Sequence, residues 1–313
     1  MITIDTVFIL GAGASKPYEY PTGKELRLDI YSNSVEQINK FKQVTTYRIK
    51  DLLFETSKFT ETFFNSSVPS IDLFLARNPH FSDVGKLSIV LSILEAEKKS
   101  KFRENISDIN QDWYSYLFHR LTEELNTPDS YNDIVTKTVS FITFNYDRSL
   151  EYFLYESLSN SFSSVPEDRI INKLKQIPVY HVYGVIDKLP WQGGSTAYRK
   201  GKNLAAVMKM KDNIKIIHER DKQPSRELEV ILKNAKRIFF LGFGYAKENL
   251  EILGIPNLIN IDDKQIYGTA FGLFDKEIDE IRRDLSEKYR KNPLYRNPRI
   301  ENCDCLTLLR KYL

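Results

Sequence analysis

Apolar positions along this 313-residue chain follow two rhythms, and the change between them divides it. Residues 6–10 are a short β-branched and aromatic run that stops at Gly11, the pattern of a buried strand turning toward a helix. The helix predicted after it begins near Thr22, with Pro17 and Pro21 in the connecting loop. From Ser34 to Leu125 the apolar residues recur at helical spacing instead: Leu52, Leu53, Phe54 and Phe59; Ile71, Phe74 and Leu75; Leu87, Val90, Leu91 and Leu94; Trp113, Tyr116, Leu117 and Leu121. Strand signals return over 139–144, 178–182, 214–218, 237–241 and 265–271. Helix-compatible stretches at 149–158, 226–235, 247–253 and 276–289 lie among them.

Alternation of strand and helix predicts a mostly parallel sheet with right-handed crossovers. The expected fold is therefore α/β: a Rossmann-like parallel sheet built from residues 1–33 and 126–313, interrupted after its first βα unit by a large helical insertion over 34–125. Segment 87–94 is apolar nearly all round and must be buried on more than one side, by the chain's own core or by a subunit interface. The stretch 95–104 is dense in Lys and Glu and reads as a solvated helix face.

Composition narrows the class. With 45 basic and 42 acidic residues the formal charge is +3, too small an excess to argue for a phosphate backbone as partner, so nucleic acid is unsupported by this chain alone. The N-terminus lacks a basic leader region, and no window approaches the roughly 20 apolar residues of a membrane span, which gives a cytoplasmic expectation without membrane contact. Cys303 and Cys305, the only two cysteines, are too close for an unstrained disulfide and too few for a four-cysteine zinc site; no metal is expected.

Four strand ends carry candidate chemistry. Gly11-Ala12-Gly13-Ala14-Ser15 closes the first strand, where two glycines permit a tight turn and close approach to a phosphate, and Ser15 supplies a hydroxyl donor or a helix cap. Lys16 stands where a third glycine is expected, and a purely structural turn fits the two glycines equally well. Phe141-Ile142-Thr143-Phe144-Asn145-Tyr146-Asp147 places Asn145 at the carboxyl end of a buried strand, where open α/β sheets hold ligands, although a turn-forming Asn with a cap at Asp147 explains it too. His181, in Val179-Tyr180-His181-Val182-Tyr183-Gly184, titrates near neutral pH and is either a base or a hydrogen-bonded core residue. His80, His119 and His218 lack such a setting. Gly242 and Gly244, in Leu241-Gly242-Phe243-Gly244-Tyr245, repeat the strand-then-glycine pattern and suit a ribose or adenine contact.

Taken in order, these blocks resemble the sirtuin superfamily, in particular the sirtuin-like domains of bacterial antiphage defence proteins. Gly11-Ala12-Gly13-Ala14-Ser15 is similar to the loop that binds the NAD pyrophosphate. Thr143-Phe144-Asn145-Tyr146-Asp147 matches a Thr-x-Asn-x-Asp motif, and His181-Val182-Tyr183-Gly184 matches the catalytic His, with two residues inserted before the glycine. Pro21-Thr22-Gly23, Ser70-Ile71-Asp72-Leu73-Phe74-Leu75 and Ile266-Tyr267-Gly268-Thr269-Ala270 resemble secondary blocks of the defence branch, so the similarity covers about residues 6 to 275. The zinc ribbon of the deacetylases has no counterpart.

The resemblance implies an NAD+ glycohydrolase with NAD+ as substrate, releasing nicotinamide and ADP-ribose in an abortive-infection response. Asn145 and His181 would be catalytic, and Gly11, Ala12, Gly13, Ser15, Thr143, Asp147, Gly242 and Gly244 would contact the dinucleotide. It also implies a homo-oligomer formed through the helical insertion and a separate partner such as a HerA-type hexameric ATPase, since the chain to Leu313 leaves no room for a fused sensor. Two alternatives use the same pocket: a non-catalytic module sensing NAD or ADP-ribose, and an ADP-ribosyltransferase. The sequence leaves the trigger, the oligomer size, activity of the isolated chain, NAD versus NADP preference and the roles of Asp72, Glu219 and Asp262 undecided.

Overall fold

The computed structural model describes residues 2–43, 48–102, 111–127, 129–134, 136, 138–201, 203–219, 224–255, 257–259, 264–286 and 297–313. Among them six strands pair in parallel: β1 (Thr6–Leu10), β2 (Val139–Thr143), β3 (Val179–His181), β4 (Arg237–Leu241), β5 (Gln265–Thr269) and β6 (Arg299–Glu301). Their spatial order is β3-β2-β1-β4-β5-β6, the order of doubly wound dinucleotide-binding folds. The α/β class expected from the sequence is thus the one observed.

β1 is the central strand, all five of its residues buried, and it pairs Thr6 with Val139 on one side and with Arg237 on the other. Phe8 stacks between Phe141 and Phe239, with ring centroids 5.3 and 5.4 Å away. Connections run outward from β1 to β3, return to β4, and run outward again to β6. The order of connections therefore reverses between β1 and β4, and the carboxyl ends of those two strands are where open α/β sheets place their ligands. The outermost strands, β3 and β6, are three residues each, which limits the unpaired edge they expose.

Between β1 and β2 the described chain is helical. It forms α1 (Ala12–Ser15), α2 (Gly23–Asn39), α3 (Arg48–Asn65), α4 (Ile71–Arg77), α5 (Ser82–Lys99) and α6 (Trp113–Thr122). α2 starts where the sequence predicts, because Thr22 and Glu25 form a reciprocal cap: the Thr22 hydroxyl accepts from the Glu25 amide and the Glu25 carboxylate accepts from the Thr22 amide. The apolar segment of α5 is buried by the chain's own α2, α3 and by α9 (Leu204–Asp212), so it gives no argument for a subunit interface.

After β2 come α7 (Ser149–Ser161) and α8 (Glu167–Leu174). α10 (Arg226–Asn234) follows α9, α11 (Lys247–Ile252) follows β4, α12 (Asp275–Ser286) follows β5 and α13 (Cys305–Tyr312) follows β6. Sheet and helices share one contiguous core of buried side chains. No helix among the described residues is long and apolar enough to cross a membrane.

Two expectations are overturned. Residues 214–218 are not a strand: Ile214 and Ile216 are buried as the alternation suggested, but Lys215 donates its amide to Tyr183 and the chain turns into a 3-10 helix at Ile217–Glu219. The charged stretch 95–104 is not wholly a solvated face either. Glu95 pairs with Lys98 and Lys99 at the surface, as expected, whereas Glu97 is buried and receives two bonds from the fully buried Arg148, at 2.9 and 3.0 Å.

The remaining Arg148 donors go to the carbonyls of Lys188, Thr196 and Ala197, and Glu97 also accepts the Arg199 amide. This ion pair ties α5, the loop after β2 and segment 187–199 together. Removing one partner strands the other's charge in the core. Glu97→Ala is therefore expected to lower the unfolding free energy by about 3 to 5 kcal/mol in urea denaturation, and a loss no greater than that of an exposed pair would show the bridge to be dispensable.

Candidate functional site

Loops after β1, β2, β3 and β4 meet at the carboxyl edge of the sheet and bring the residues expected from the sequence together. The G-x-G turn is built by loop-on-loop packing. A Cβ at Gly11 would lie 2.5 Å from the Gly242 carbonyl oxygen, one at Gly13 would lie 2.9 Å from the Gly242 Cα, and one at Gly242 would lie 2.0 Å from the Ala14 nitrogen. Gly242 also holds φ of +55°, which disfavours any side chain. The amides of Gly11 and Gly13 donate to Leu241 and Gly242, each at 3.0 Å. These glycines therefore form a floor that joins the ends of β1 and β4, and the Gly11 and Gly13 amides are engaged by protein rather than open to a phosphate. Ala12 is half-buried at the start of α1. Gly244 has open space where its Cβ would be, so packing gives no reason for a glycine there.

Asn145 is buried, and its orientation is fixed by chemistry. The Gly11 carbonyl can only accept, so the amide nitrogen Nδ2 faces it at 3.0 Å, and the second Nδ2 hydrogen goes to Ser15 Oγ at 3.0 Å. Ser15 in turn donates to Asp147 Oδ2 at 3.0 Å. The other Asp147 oxygen accepts the Ser149 amide at 3.0 Å and the Ser149 hydroxyl. Burial raises the Asp147 pKa above the usual carboxylate value, against the pull of these donors. Thr143 braces the turn by accepting the Asn145 amide on its hydroxyl at 3.1 Å.

His181 ends β3 opposite Thr143 in the register. Its Nδ1 lies 3.2 Å from the Asn145 carbonyl oxygen and therefore carries a proton, while Nε2 lies 2.8 Å from Glu151 Oε1 on α7. Burial works against the charged ring, yet the Glu151 carboxylate and the Asn145 carbonyl outweigh it, and the pKa rises above 6.5. Each ring nitrogen thus faces an oxygen acceptor, an arrangement that favours the protonated ring beside Glu151.

Several partners of the site were not found from the sequence. Glu151 is a lone acid among Leu150, Tyr152, Phe153 and Leu154, and that isolation was the available signal. Trp113 on α6 donates its indole N–H to the Ala14 carbonyl at 2.8 Å, and the neighbouring Tyr114 hydroxyl bonds Ser149 Oγ at 2.8 Å. Asp72 on α4 accepts the Tyr146 hydroxyl at 2.5 Å, and burial pushes its carboxyl up to about 6. Glu219 binds Lys86 at 2.6 Å and caps the Ile216 amide, a structural role. Asp262 lies outside the described residues.

Cavities elsewhere do not include the Asn145–His181 pair. One of about 1050 Å³ lies between α12 and the β5–β6 edge, lined by Tyr267, Arg282 and Arg299, and one of about 230 Å³ lies between α2 and α5, lined by Lys16, Asp29 and Ser92. Among the described residues no group of three His, Cys, Asp or Glu side chains is arranged to hold a metal ion. Cys303 and Cys305 are both free thiols.

The Glu151–His181 contact has a direct signature. Because the folded-state pKa of His181 is raised, the stability it contributes is full below the unfolded value near 6.5 and is lost as pH rises through the folded value. An NMR titration of the His181 ring is expected to give a pKa above 6.5 that falls in Glu151→Gln; an unchanged value in that variant would remove Glu151 as its cause. Neither a scan against protein-family models nor a search of curated proteins finds a match for this chain.

Proposed function

We propose that the chain is an NAD+ glycohydrolase that cleaves NAD+ to nicotinamide and ADP-ribose, with the helices between β1 and β2 acting as an insertion in a Rossmann-like NAD-binding fold. The observation that carries this reading is the convergence of Asn145, Ser15, Asp147 and His181 at the carboxyl edge of a sheet whose strand order is that of dinucleotide-binding folds. The Asn145 carbonyl also faces the His181 ring at 3.2 Å, so the amide and the imidazole are held together at adjacent strand ends.

In this proposal the nicotinamide ribose lies over Asn145 and His181, the pyrophosphate over Gly11-Ala12-Gly13-Ala14-Ser15, and the adenosine toward Gly242. Asn145 Nδ2 is spent on Gly11 and Ser15, so Oδ1 is the atom that accepts from a ribose hydroxyl or from the attacking water. The glycosidic C–N bond breaks with its electron pair leaving on nicotinamide, which departs neutral because it begins as a cation and needs no acid. Water bonds the ribose carbon and gives up one proton.

In the neutral His181 ring Nδ1–H stays on the Asn145 carbonyl, and Nε2 takes the water proton on turning from Glu151 to the water. Glu151 stays ionised and is a positioning residue that stabilises the imidazolium so formed, as a buried carboxylate does for a catalytic imidazole elsewhere. Depletion of NAD+ as a defence response, a homo-oligomer and a HerA-type ATPase partner remain part of the same proposal, supported by the resemblance of the motifs.

Nicotinamide release from NAD+, assayed with the chain alone and with the product of its neighbouring gene, tests the reading. Asn145→Ala and His181→Ala are each expected to reduce release by about 10²-fold or more while thermal unfolding remains cooperative. Full turnover in both variants would refute the assignment, and bound NAD+ without release in the parent would favour a sensing module.

A further inference from the structure

The loop after β5 displays two aromatic rings to solvent at the same carboxyl edge that carries Asn145 and His181. Phe271 is 74% exposed and Phe274 is 80% exposed, although exposing such rings to water is unfavourable. The backbone between them is firmly held. Gly272 adopts φ of +77° and donates its amide to Asn302 Oδ1 at 2.9 Å; Asn302 Nδ2 donates to the Leu273 carbonyl at 3.0 Å; and the Phe274 amide donates to Glu277 at 2.9 Å. Leu273 packs against the core while the residues on either side of Gly272–Leu273 do not. The loop is thus shaped to turn one apolar side chain inward and two outward.

This loop is joined to the site. Thr269, at the end of β5, accepts the Gly242 amide on its hydroxyl at 2.8 Å, and Gly242 is the residue against which Gly11 and Gly13 pack. Along the edge the order is His181 after β3, Asn145 after β2, the glycine turn after β1, Gly242 after β4 and Phe271 after β5. Adjacent strands are about 4.8 Å apart, so the three steps from β2 to β5 span roughly 14 Å, within reach of an extended dinucleotide. With the reacting ribose over β2 and β3 and the pyrophosphate over β1, the remaining base falls over β4 and β5.

We infer that Phe271 and Phe274 form a stacking platform for the purine base of the dinucleotide, and that this loop makes the site selective for a dinucleotide over a nicotinamide mononucleotide. The inference rests on the ligand orientation proposed above. Stacking of a base on an aromatic side chain is tolerant of sequence and strong enough to set affinity. Both rings stand clear of the core, so their removal leaves the fold intact.

The test is calorimetric binding of ADP-ribose to the parent chain, Phe271→Ala, Phe274→Ala and the double variant, beside light scattering for oligomeric state and nicotinamide release from NAD+ and from nicotinamide mononucleotide. The expected result is a loss of ADP-ribose affinity of roughly tenfold or more in the double variant, with release from NAD+ falling further than release from the mononucleotide. ADP-ribose binding by the parent and its loss in the variants, without nicotinamide release from either substrate, would sink the hydrolase reading and leave the platform standing. Equal ADP-ribose affinity in all four proteins, no binding in the parent, or a change confined to oligomeric state would overturn the platform and assign the rings to another role.

Discussion

The buried bridge between Arg148 and Glu97 is the contact on which the arrangement of the site depends. Arg148 follows Asp147 directly, so whatever fixes its guanidinium also fixes the carboxylate that orders Ser15 and, through Ser15, Asn145. Its five donors are met by one carboxylate and three carbonyls from two other parts of the chain. A charge taken out of water in this way is tolerated only with full satisfaction, and that requirement specifies one geometry. Neighbouring residues of the loop repeat the device with different partners: Tyr146 to Asp72 on α4, and Ser149 to Tyr114 on α6. Three helices from the segment between β1 and β2 therefore hold one short loop from three directions.

On the other side of the crevice the constraint is steric rather than electrostatic. Backbone meets backbone where Gly11 and Gly13 face Gly242, and no side chain fits between them. The result is a rigid floor that brings the ends of β1 and β4 into contact. Polar satisfaction positions the half that holds Asn145 and His181, and absence of side chains positions the half built on Gly11, Gly13 and Gly242.

Much of this was legible from local signals. The strand 6–10 and the helix cap at Thr22 announce themselves because each is decided by a few adjacent residues. Asn145, Ser15, Asp147 and His181 were found as strand-end polar residues, and the structure brings them into one hydrogen-bonded network. What escaped was set by distant partners. Glu97 lies in a run of surface charges and differs from them only because Arg148 reaches it across the fold. Ile214 and Ile216 alternate like strand residues, yet their burial comes from packing against a turn. β6 is too short, and flanked by too many charges, to register as a strand. Glu151 becomes significant only when β3 places His181 beside α7.

The central position of β1 has a consequence for biosynthesis. Thr6 pairs with Val139 and with Arg237, so the first strand emerges early and waits for partners made long afterwards. Closing such large loops is entropically costly and delays the pairing of parallel strands. The glycine floor cannot form until Gly242 has left the ribosome, by which point Asn145 and His181 have already been made. A nascent chain carries Asn145 and His181 without the surface they face, so whatever chemistry the site performs is withheld until β4 and the turn at Gly242 have been made.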